Sequence, residues 1–161
     1  FRAEERLAQL YVQVAGRSGR AEKQGEVVLQ THYPDHPLLT TLLEKGYQAF
    51  AEETLKLRHN MGLPPFSFQA LFKAQCRHSE EAENALSQLA SFFYEQKIDG
   101  LQVLGPIPAP FSKKAGQYRW QLLLQHASRK QLQAALSRYS PELIKSSQVR
   151  LILDVDPLDL S

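Results

Sequence analysis

Residues 66–75 read Phe66-Ser67-Phe68-Gln69-Ala70-Leu71-Phe72-Lys73-Ala74-Gln75. Phenylalanine and alanine occupy the even positions of this stretch, and mainly polar side chains occupy the odd positions. Because a β-strand places alternate side chains on opposite faces, this period of two predicts a strand with one buried face. The segments that follow this strand and those that precede it are taken in turn.

The segments that follow it predict two helices and three further strands. Ser79, followed by Glu80 and Glu81, is typical of a helix N-terminus, where acidic side chains interact favourably with the helix dipole. Ser128 predicts the start of a second helix, which Pro141 limits. The further strands are predicted at 101–104, 118–125 and 149–155. The resulting β-α-β-β-α-β order is the ferredoxin-like arrangement, a small α+β fold.

The predicted sheet has one face under the helices and one open face. Its aromatic side chains are predicted to face the helices, and its open face is predicted to carry Lys73, Arg119, Gln121 and Arg150. A sheet that reads RNA by base stacking needs aromatic side chains on its open face. This arrangement counts against an RNA-recognition module.

The residues before the strand form a separate predicted unit. Apolar side chains recur at helical spacing at Ala3, Leu7, Leu10 and Val14. A short strand is predicted at Glu26–Gln30, and Pro37 opens a long second helix. The segment from Arg58 to Pro65 interrupts any helix, so we divide the chain into residues 1–58 and 59–161.

The composition is that of folded protein. Hydrophobic residues make up 43% of the 161 residues, and no apolar run approaches the roughly 18 residues of a membrane span. The chain opens at Phe1 without a signal segment, so we expect a piece of a larger intracellular protein. Cys76 is the single cysteine, and no further ligand clusters with Cys76 and His78, so no metal site is predicted.

The charge is uneven although the net charge is only +2. Between Gly100 and Pro141 there are six basic residues and no acidic residue. Such a surface favours phosphates or an acidic protein partner. The alternative is a solvated face without a specific partner.

The motif that indicates chemistry is Gln13-Val14-Ala15-Gly16-Arg17-Ser18-Gly19-Arg20, of the form Q-x-x-G-R-x-G-R. Two guanidinium groups three residues apart can bind a polyphosphate, because their charge is permanent and their geometry matches pairs of phosphate oxygens. Gly16 and Gly19 allow the backbone to turn and approach closely. The alternative is a helix that ends at a glycine and carries exposed arginines.

These residues resemble a known family. Residues 1–6, the motif Gln13–Arg20 and the segment 25–31 are similar to motif VI and the last strand of superfamily-two helicases. Further segments narrow the resemblance to the C-terminal part of the bacterial primosomal replication protein N′ (PriA) family. They are His36-Pro37-Leu38-Leu39, Leu63-Pro64-Pro65-Phe66, Leu104-Gly105-Pro106, Tyr118-Arg119-Trp120-Gln121 and Asp154-Val155-Asp156-Pro157.

The resemblance implies the end of a RecA-like helicase lobe up to residue 58, followed by the small α+β domain. It implies an ATP-dependent 3′–5′ DNA helicase that recognises stalled replication forks and initiates primosome assembly for replication restart. Gln13, Gly16, Arg17, Gly19 and Arg20 would then bind ATP with Mg²⁺. Arg17 and Arg20 would be the catalytic residues, with Arg20 as the arginine finger.

The resemblance also implies partners for the second domain. They are DNA forks, single-stranded DNA, the tail of the single-stranded-DNA-binding protein and other primosome proteins, in the bacterial cytoplasm and associated with the nucleoid. The residues predicted to bind DNA or a partner are Lys113, Lys114, Arg119 and Gln121.

The sequence departs from the family in what it lacks. It has no G-x-x-x-x-G-K-[ST] phosphate loop, no Asp-Glu pair for magnesium and no zinc-binding cysteine cluster, all of which are expected upstream in the parent protein. We therefore expect the fragment alone to be inactive, with no zinc of its own. The alternatives are a non-enzymatic nucleic-acid-binding module, an acidic-peptide-binding module, or another superfamily-two helicase.

Overall fold

The computed structural model describes residues 2–18 and 26–158. The chain forms two compact units, Phe1–Met61 and Gly62–Ser161. None of the described helices is both long and apolar enough to cross a membrane.

Two helices are described in the first unit. Helix α1 spans Ala3–Ser18, and helix α2 spans Pro37–Asn60 with a proline in its first turn, where a missing N–H costs no hydrogen bond. Helix α2 is kinked at Gly46, whose φ of 83° lies in the left-handed region that glycine tolerates. The core of this unit is small and consists of Ala8, Leu38, Leu42 and Phe50.

One sequence prediction for this unit is wrong. Residues 26–30 form no strand, because the described part of the unit contains no neighbouring strand with which they could pair. The apolar face that the spacing predicts for α1 is largely exposed: Leu10 is 59% exposed and Val14 is 52% exposed, whereas Ala8 is buried. Helical spacing identifies an apolar face but not the partner that covers it.

The second unit contains four strands and two helices. In chain order they are β1 (Phe68–Cys76), α3 (Ser79–Glu95), β2 (Gln102–Lys114), β3 (Gln117–His126), α4 (Arg129–Ser146) and β4 (Arg150–Val155). The sheet has the strand order β2-β3-β1-β4, and all neighbouring strands are antiparallel. The unit is a small α/β domain built on a four-stranded antiparallel sheet.

The main core lies on the face of the sheet that packs against α3 and α4. The even positions of β1 face this core, as the alternation predicts, and Ala70, Phe72 and Ala74 have no exposed surface. Phe66 was predicted to share this face, but it precedes the strand and is 41% exposed. Buried partners from the other elements are Ala82, Leu86, Leu89, Ala90, Phe93, Val103, Leu122, Leu124, Leu132 and Leu136.

The helix termini differ from the predictions in two respects. Ser128 caps α4 by accepting a 3.4 Å hydrogen bond from the backbone N–H of Gln131, as predicted. The N-cap position of α3 is His78 and not Ser79, and the His78 side chain makes no capping hydrogen bond. Pro141 does not end α4, which continues to Ser146. The proline removes the hydrogen bond to the carbonyl of Ser137, and that residue is exposed to water, which can replace it.

Strand β2 is longer than predicted. The sequence predicts a strand at 101–104 followed by a proline-rich loop, whereas β2 continues through Pro106, Pro108 and Pro110. The prolines are tolerated because β2 is an edge strand, and its pairing with β3 shifts register at two places. At the first shift Gly105 has a φ of 112°, and a Cβ there would lie 3.0 Å from the carbonyl oxygen of Gln121.

Candidate functional site

The described residues of the motif Gln13–Arg20 lie in the last two turns of α1. Gln13 and Arg17 are one helical turn apart, so they lie on the same side of the helix, and both are exposed. Gly16 is exposed as well, and a Cβ there would meet nothing within 4 Å. Gly19 and Arg20 lie outside the described residues. An exposed amide and an exposed guanidinium on one side of a helix can both reach a phosphate group.

The predicted basic residues lie on a hairpin formed by β2 and β3. Lys113 and Lys114 were predicted in a loop, but they are the last residues of β2 and pair with Tyr118 and Gln117 of β3. Lys113 therefore shares a face with Tyr118: its Nζ lies 4.9 Å from the ring centroid and 3.4 Å from the hydroxyl oxygen. This cation–π contact holds the ammonium group against the ring.

Alternation along the strands places Lys114 on the opposite face from Lys113. Lys114 is paired with Gln117, and Arg119 follows two residues later on the same side of β3. The predicted cluster of three basic residues is thus divided between the two faces of the sheet.

Strand pairing adds Arg150 to the face that carries Arg119. Gln75 in the central strand β1 pairs with Arg119 on one side and with Arg150 of β4 on the other. Adjacent strands lie about 4.8 Å apart, so the two arginines are separated by about 10 Å across the sheet. We call Lys114, Arg119 and Arg150 the basic row. Arg150 was expected on this face but was not among the predicted binding residues, because only the strand pairing brings it beside Arg119.

Gln121 does not present its side chain to solvent, contrary to the prediction of an open face, because only 4% of its surface is exposed. Leu71, Gln69 and Gln125 on the same face are also buried. Amides can be buried there because they bond one another: Gln69 Nε2 donates to Gln125 Oε1 at 2.6 Å. The Nε2 of Gln125 in turn donates to the carbonyl oxygen of Gly62 at 3.1 Å. The cations of this face that reach solvent form the basic row, in which Lys114 and Arg150 are exposed and Arg119 is half-buried.

The remaining basic residue of the predicted face is engaged in an ion pair. Lys73 Nζ lies 3.4 Å from Asp154 Oδ2 on the neighbouring strand β4. A second carboxylate beyond β4, that of Asp156, pairs with Arg129 at 3.1 Å. Asp154 and Asp156 thus neutralise the charges of Lys73 and Arg129 within the domain.

A second polar cluster lies where β1 ends and α3 begins. The thiol of Cys76 donates a 3.0 Å hydrogen bond to Glu81 Oε2, and His78 Nδ1 lies 3.1 Å from Glu81 Oε1. The hydrogen bond from Cys76 is the largest cause that lowers the pKa of the Glu81 carboxyl, and His78 lowers it further. The prediction that no further ligand clusters with Cys76 and His78 is wrong, because the first turn of α3 brings Glu81 to Cys76. The signal that could have found it is the spacing C-x-H-x-x-E across a predicted helix start.

Comparison with known proteins gives consistent matches. Residues 59–158 match the protein family described as the primosomal protein N C-terminal domain. The chain is 78% identical over its whole length to the replication restart protein PriA of Haemophilus influenzae, of which it covers 22%. It is 32% identical to the protein of the same name from Synechocystis, with 99% of the chain and 19% of that protein aligned. For Bacillus subtilis the identity is 30%, over 98% of the chain and 20% of the relative. The chain thus spans about a fifth of the length of these relatives.

Proposed function

The chain belongs to the family of primosomal protein N C-terminal domains, and we propose on this basis that it is part of a DNA helicase that restarts replication. The helicase is ATP-dependent, moves 3′ to 5′, recognises stalled forks and initiates primosome assembly. The observation that carries the proposal is the 78% identity to a relative named replication restart protein PriA. The first unit is then the end of a RecA-like lobe, and the second unit is a binding domain.

The role of the first unit is to contribute arginine side chains to an ATP site completed by the rest of the parent protein. Gln13 and Arg17 fit this role because both are exposed on the same side of α1. ATP with Mg²⁺ would supply the phosphoryl group and its bound cation, and Arg17 and Arg20 would stabilise negative charge on the phosphates. The exposed apolar side chains Leu10 and Val14 are consistent with further protein packing on α1.

The role of the second unit is to hold a phosphate backbone on the basic row. Lys114, Arg119 and Arg150 line one side of the sheet near the β2–β3 hairpin, and none of the residues that β1, β3 and β4 place on that side is aromatic. Contacts of this kind position a nucleic acid but do not read its bases. We expect binding that depends strongly on salt and little on sequence.

A second candidate function is the binding of an acidic peptide, such as the tail of the single-stranded-DNA-binding protein. It is favoured by the spacing of Arg119 and Arg150 on either side of Gln75. A guanidinium group binds a carboxylate through two parallel hydrogen bonds, and two such groups can hold two carboxylates. DNA and the peptide would then compete for one surface.

The test measures DNA binding by the 161-residue chain as a function of salt, by fluorescence anisotropy with a single-stranded oligonucleotide. The variant Lys114→Ala/Arg119→Ala should reduce the slope of log K against log salt by about 1.4, since each contact contributes about 0.7. The matched control is Lys130→Ala/Lys145→Ala, which removes the same charge from exposed positions on α4. An equal reduction in the control would show that net charge, and not the basic row, attracts DNA.

A competition experiment separates the two candidate functions. An acidic peptide that displaces the oligonucleotide from the parent chain, and binds the double variant weakly, places both ligands on the basic row. A peptide that binds while DNA remains bound would contradict a shared surface. Unchanged DNA binding by the double variant would exclude the basic row as the DNA site.

A further inference from the structure

Three side chains of different chemistry meet at the junction between β1 and α3. Cys76 is the last residue of β1, His78 is the N-cap of α3 and Glu81 lies in the first turn of that helix. One potential ligand atom from each residue, a sulfur, a nitrogen and an oxygen, lies within 4.8 Å of the other two. We call these residues the Cys76–His78–Glu81 cluster.

The Glu81 carboxylate is held between the other two groups. One oxygen accepts the hydrogen bond from the Cys76 thiol at 3.0 Å, and the other lies 3.1 Å from His78 Nδ1. The side chains of His78 and Glu81 are 73% and 57% exposed, so a cation from solvent can reach them.

We propose that the Cys76–His78–Glu81 cluster binds a zinc ion, with the thiolate sulfur, an imidazole nitrogen and a carboxylate oxygen as ligands. These three donor types are the ones that Zn²⁺ takes in proteins, and three protein ligands leave its fourth tetrahedral position to water. Mg²⁺ and Ca²⁺ are disfavoured because both prefer oxygen ligands.

Binding requires that the thiol lose its proton. The Cys76 S–H that donates to Glu81 in the metal-free protein releases its proton to solvent, and the sulfur lone pair forms the bond to zinc. The carboxylate, freed from that hydrogen bond, supplies the oxygen ligand. No oxidant or other reactant is involved.

The bound ion would fasten the end of β1 to the first turn of α3. Cys76 is paired with Tyr118, two residues before Trp120, whose indole also contacts this turn through Ser79. The site therefore lies beside the strand that carries Arg119. The proposal does not depend on the helicase assignment, because it uses only side chains of the second unit.

The test is a calorimetric titration of the reduced 161-residue chain with ZnCl₂, repeated with excess Mg²⁺. The proposal expects one Zn²⁺ per chain, no displacement by Mg²⁺ and a melting temperature that rises by about 5 °C when zinc is well above its dissociation constant. Co²⁺, used as a spectroscopic substitute, should give an intense thiolate-to-cobalt charge-transfer band.

Three variants remove one ligand each: Cys76→Ser, His78→Ala and Glu81→Gln. Each should weaken Zn²⁺ binding by more than about tenfold, since even residues that only support a ligand contribute tenfold or more. Cys76→Ser should also abolish the charge-transfer band. The matched control is Glu80→Gln, which removes an exposed carboxylate from the same turn and should bind zinc like the parent.

Two results would overturn the proposal. One is the absence of Zn²⁺ binding by the reduced parent chain. The other is binding that all three variants retain at the parent affinity, because the ion would then lie elsewhere. Circular dichroism of each variant checks that the fold persists, which is expected because His78 and Glu81 are exposed and Cys76 lies at a strand end.

Discussion

The indole Nε1 of Trp120 donates a 2.9 Å hydrogen bond to the side-chain oxygen of Ser79. This bond links β3 to the first residue of α3. Strand β1, which precedes α3 in the chain, is the neighbour of β3 in the sheet. Ser79 was predicted to cap α3, but its hydroxyl group instead accepts a hydrogen bond from a side chain of β3.

Trp120→Phe should therefore lower the free energy of unfolding by about 1–2 kcal/mol, because one partly buried hydrogen bond is lost while an aromatic ring is retained. Ser79→Ala should cost about 1 kcal/mol, and the double variant should cost less than the sum. Urea unfolding of the four proteins measures the coupling. Strict additivity would show that the bond does not contribute to stability.

Phe72 is the central aromatic side chain of the core and has no exposed surface. Phe72→Ala should lower the free energy of unfolding by about 3–5 kcal/mol, because it removes buried apolar surface and leaves a cavity. Phe111→Ala is the matched control, since Phe111 lies in β2 with 69% of its surface exposed and should change stability by less than about 0.5 kcal/mol. Similar losses in both variants would contradict the assignment of the core.

Gly105 should not tolerate a side chain. Its φ of 112° is unfavourable for alanine, and a Cβ would lie 3.0 Å from the Gln121 carbonyl oxygen, so Gly105→Ala should destabilise the domain by about 1–3 kcal/mol. Gly16→Ala changes the same residue type in an open helical position and should be neutral or stabilising by up to about 1 kcal/mol. Thermal unfolding distinguishes the two, and an equal response would show that Gly105 is not constrained.

Arg20→Ala in the full-length parent should abolish most ATP hydrolysis, by a factor of about 10³ or more, while fork binding remains nearly unchanged. The expected reason is lost stabilisation of charge on the phosphates. Arg17→Ala should lower activity as well and should weaken nucleotide binding if it contacts the phosphates before reaction. Steady-state ATPase assays and fork binding by anisotropy measure both effects. Normal turnover by Arg20→Ala would remove its assignment as an arginine finger.

The parts of the fold that depend on local pattern were predictable. The alternation of apolar and polar residues around Phe72 and Leu122 identified the buried face of two strands, because this alternation is visible among neighbouring residues of the sequence. The helical face of Leu86 and Phe93 was predictable from the helical period of about 3.6 residues. In each case the sequence period and the packed face coincide.

The parts that depend on distant pairing were not predictable. The length of β2 is set by its hairpin with β3, which carries Lys113 and Lys114 out of the expected loop. The burial of Gln121 depends on residues that pack around it from elsewhere in the domain. Alternation along β3 shows which face Gln121 is on, but it does not show what covers that face. Arg150 joins Arg119 only through β1, and Glu81 meets Cys76 only through the turn of a helix.

Three prolines lie in β2, which is an edge strand of the sheet, and they affect how two molecules of this chain can associate. The backbone of β2 offers no N–H at Pro106, Pro108 or Pro110. A strand from a second molecule that approached this border would find gaps in the row of donors it needs, so it could not add itself to the sheet. The β2 edge of the sheet is thus a poor template for fibrillar self-association at high concentration.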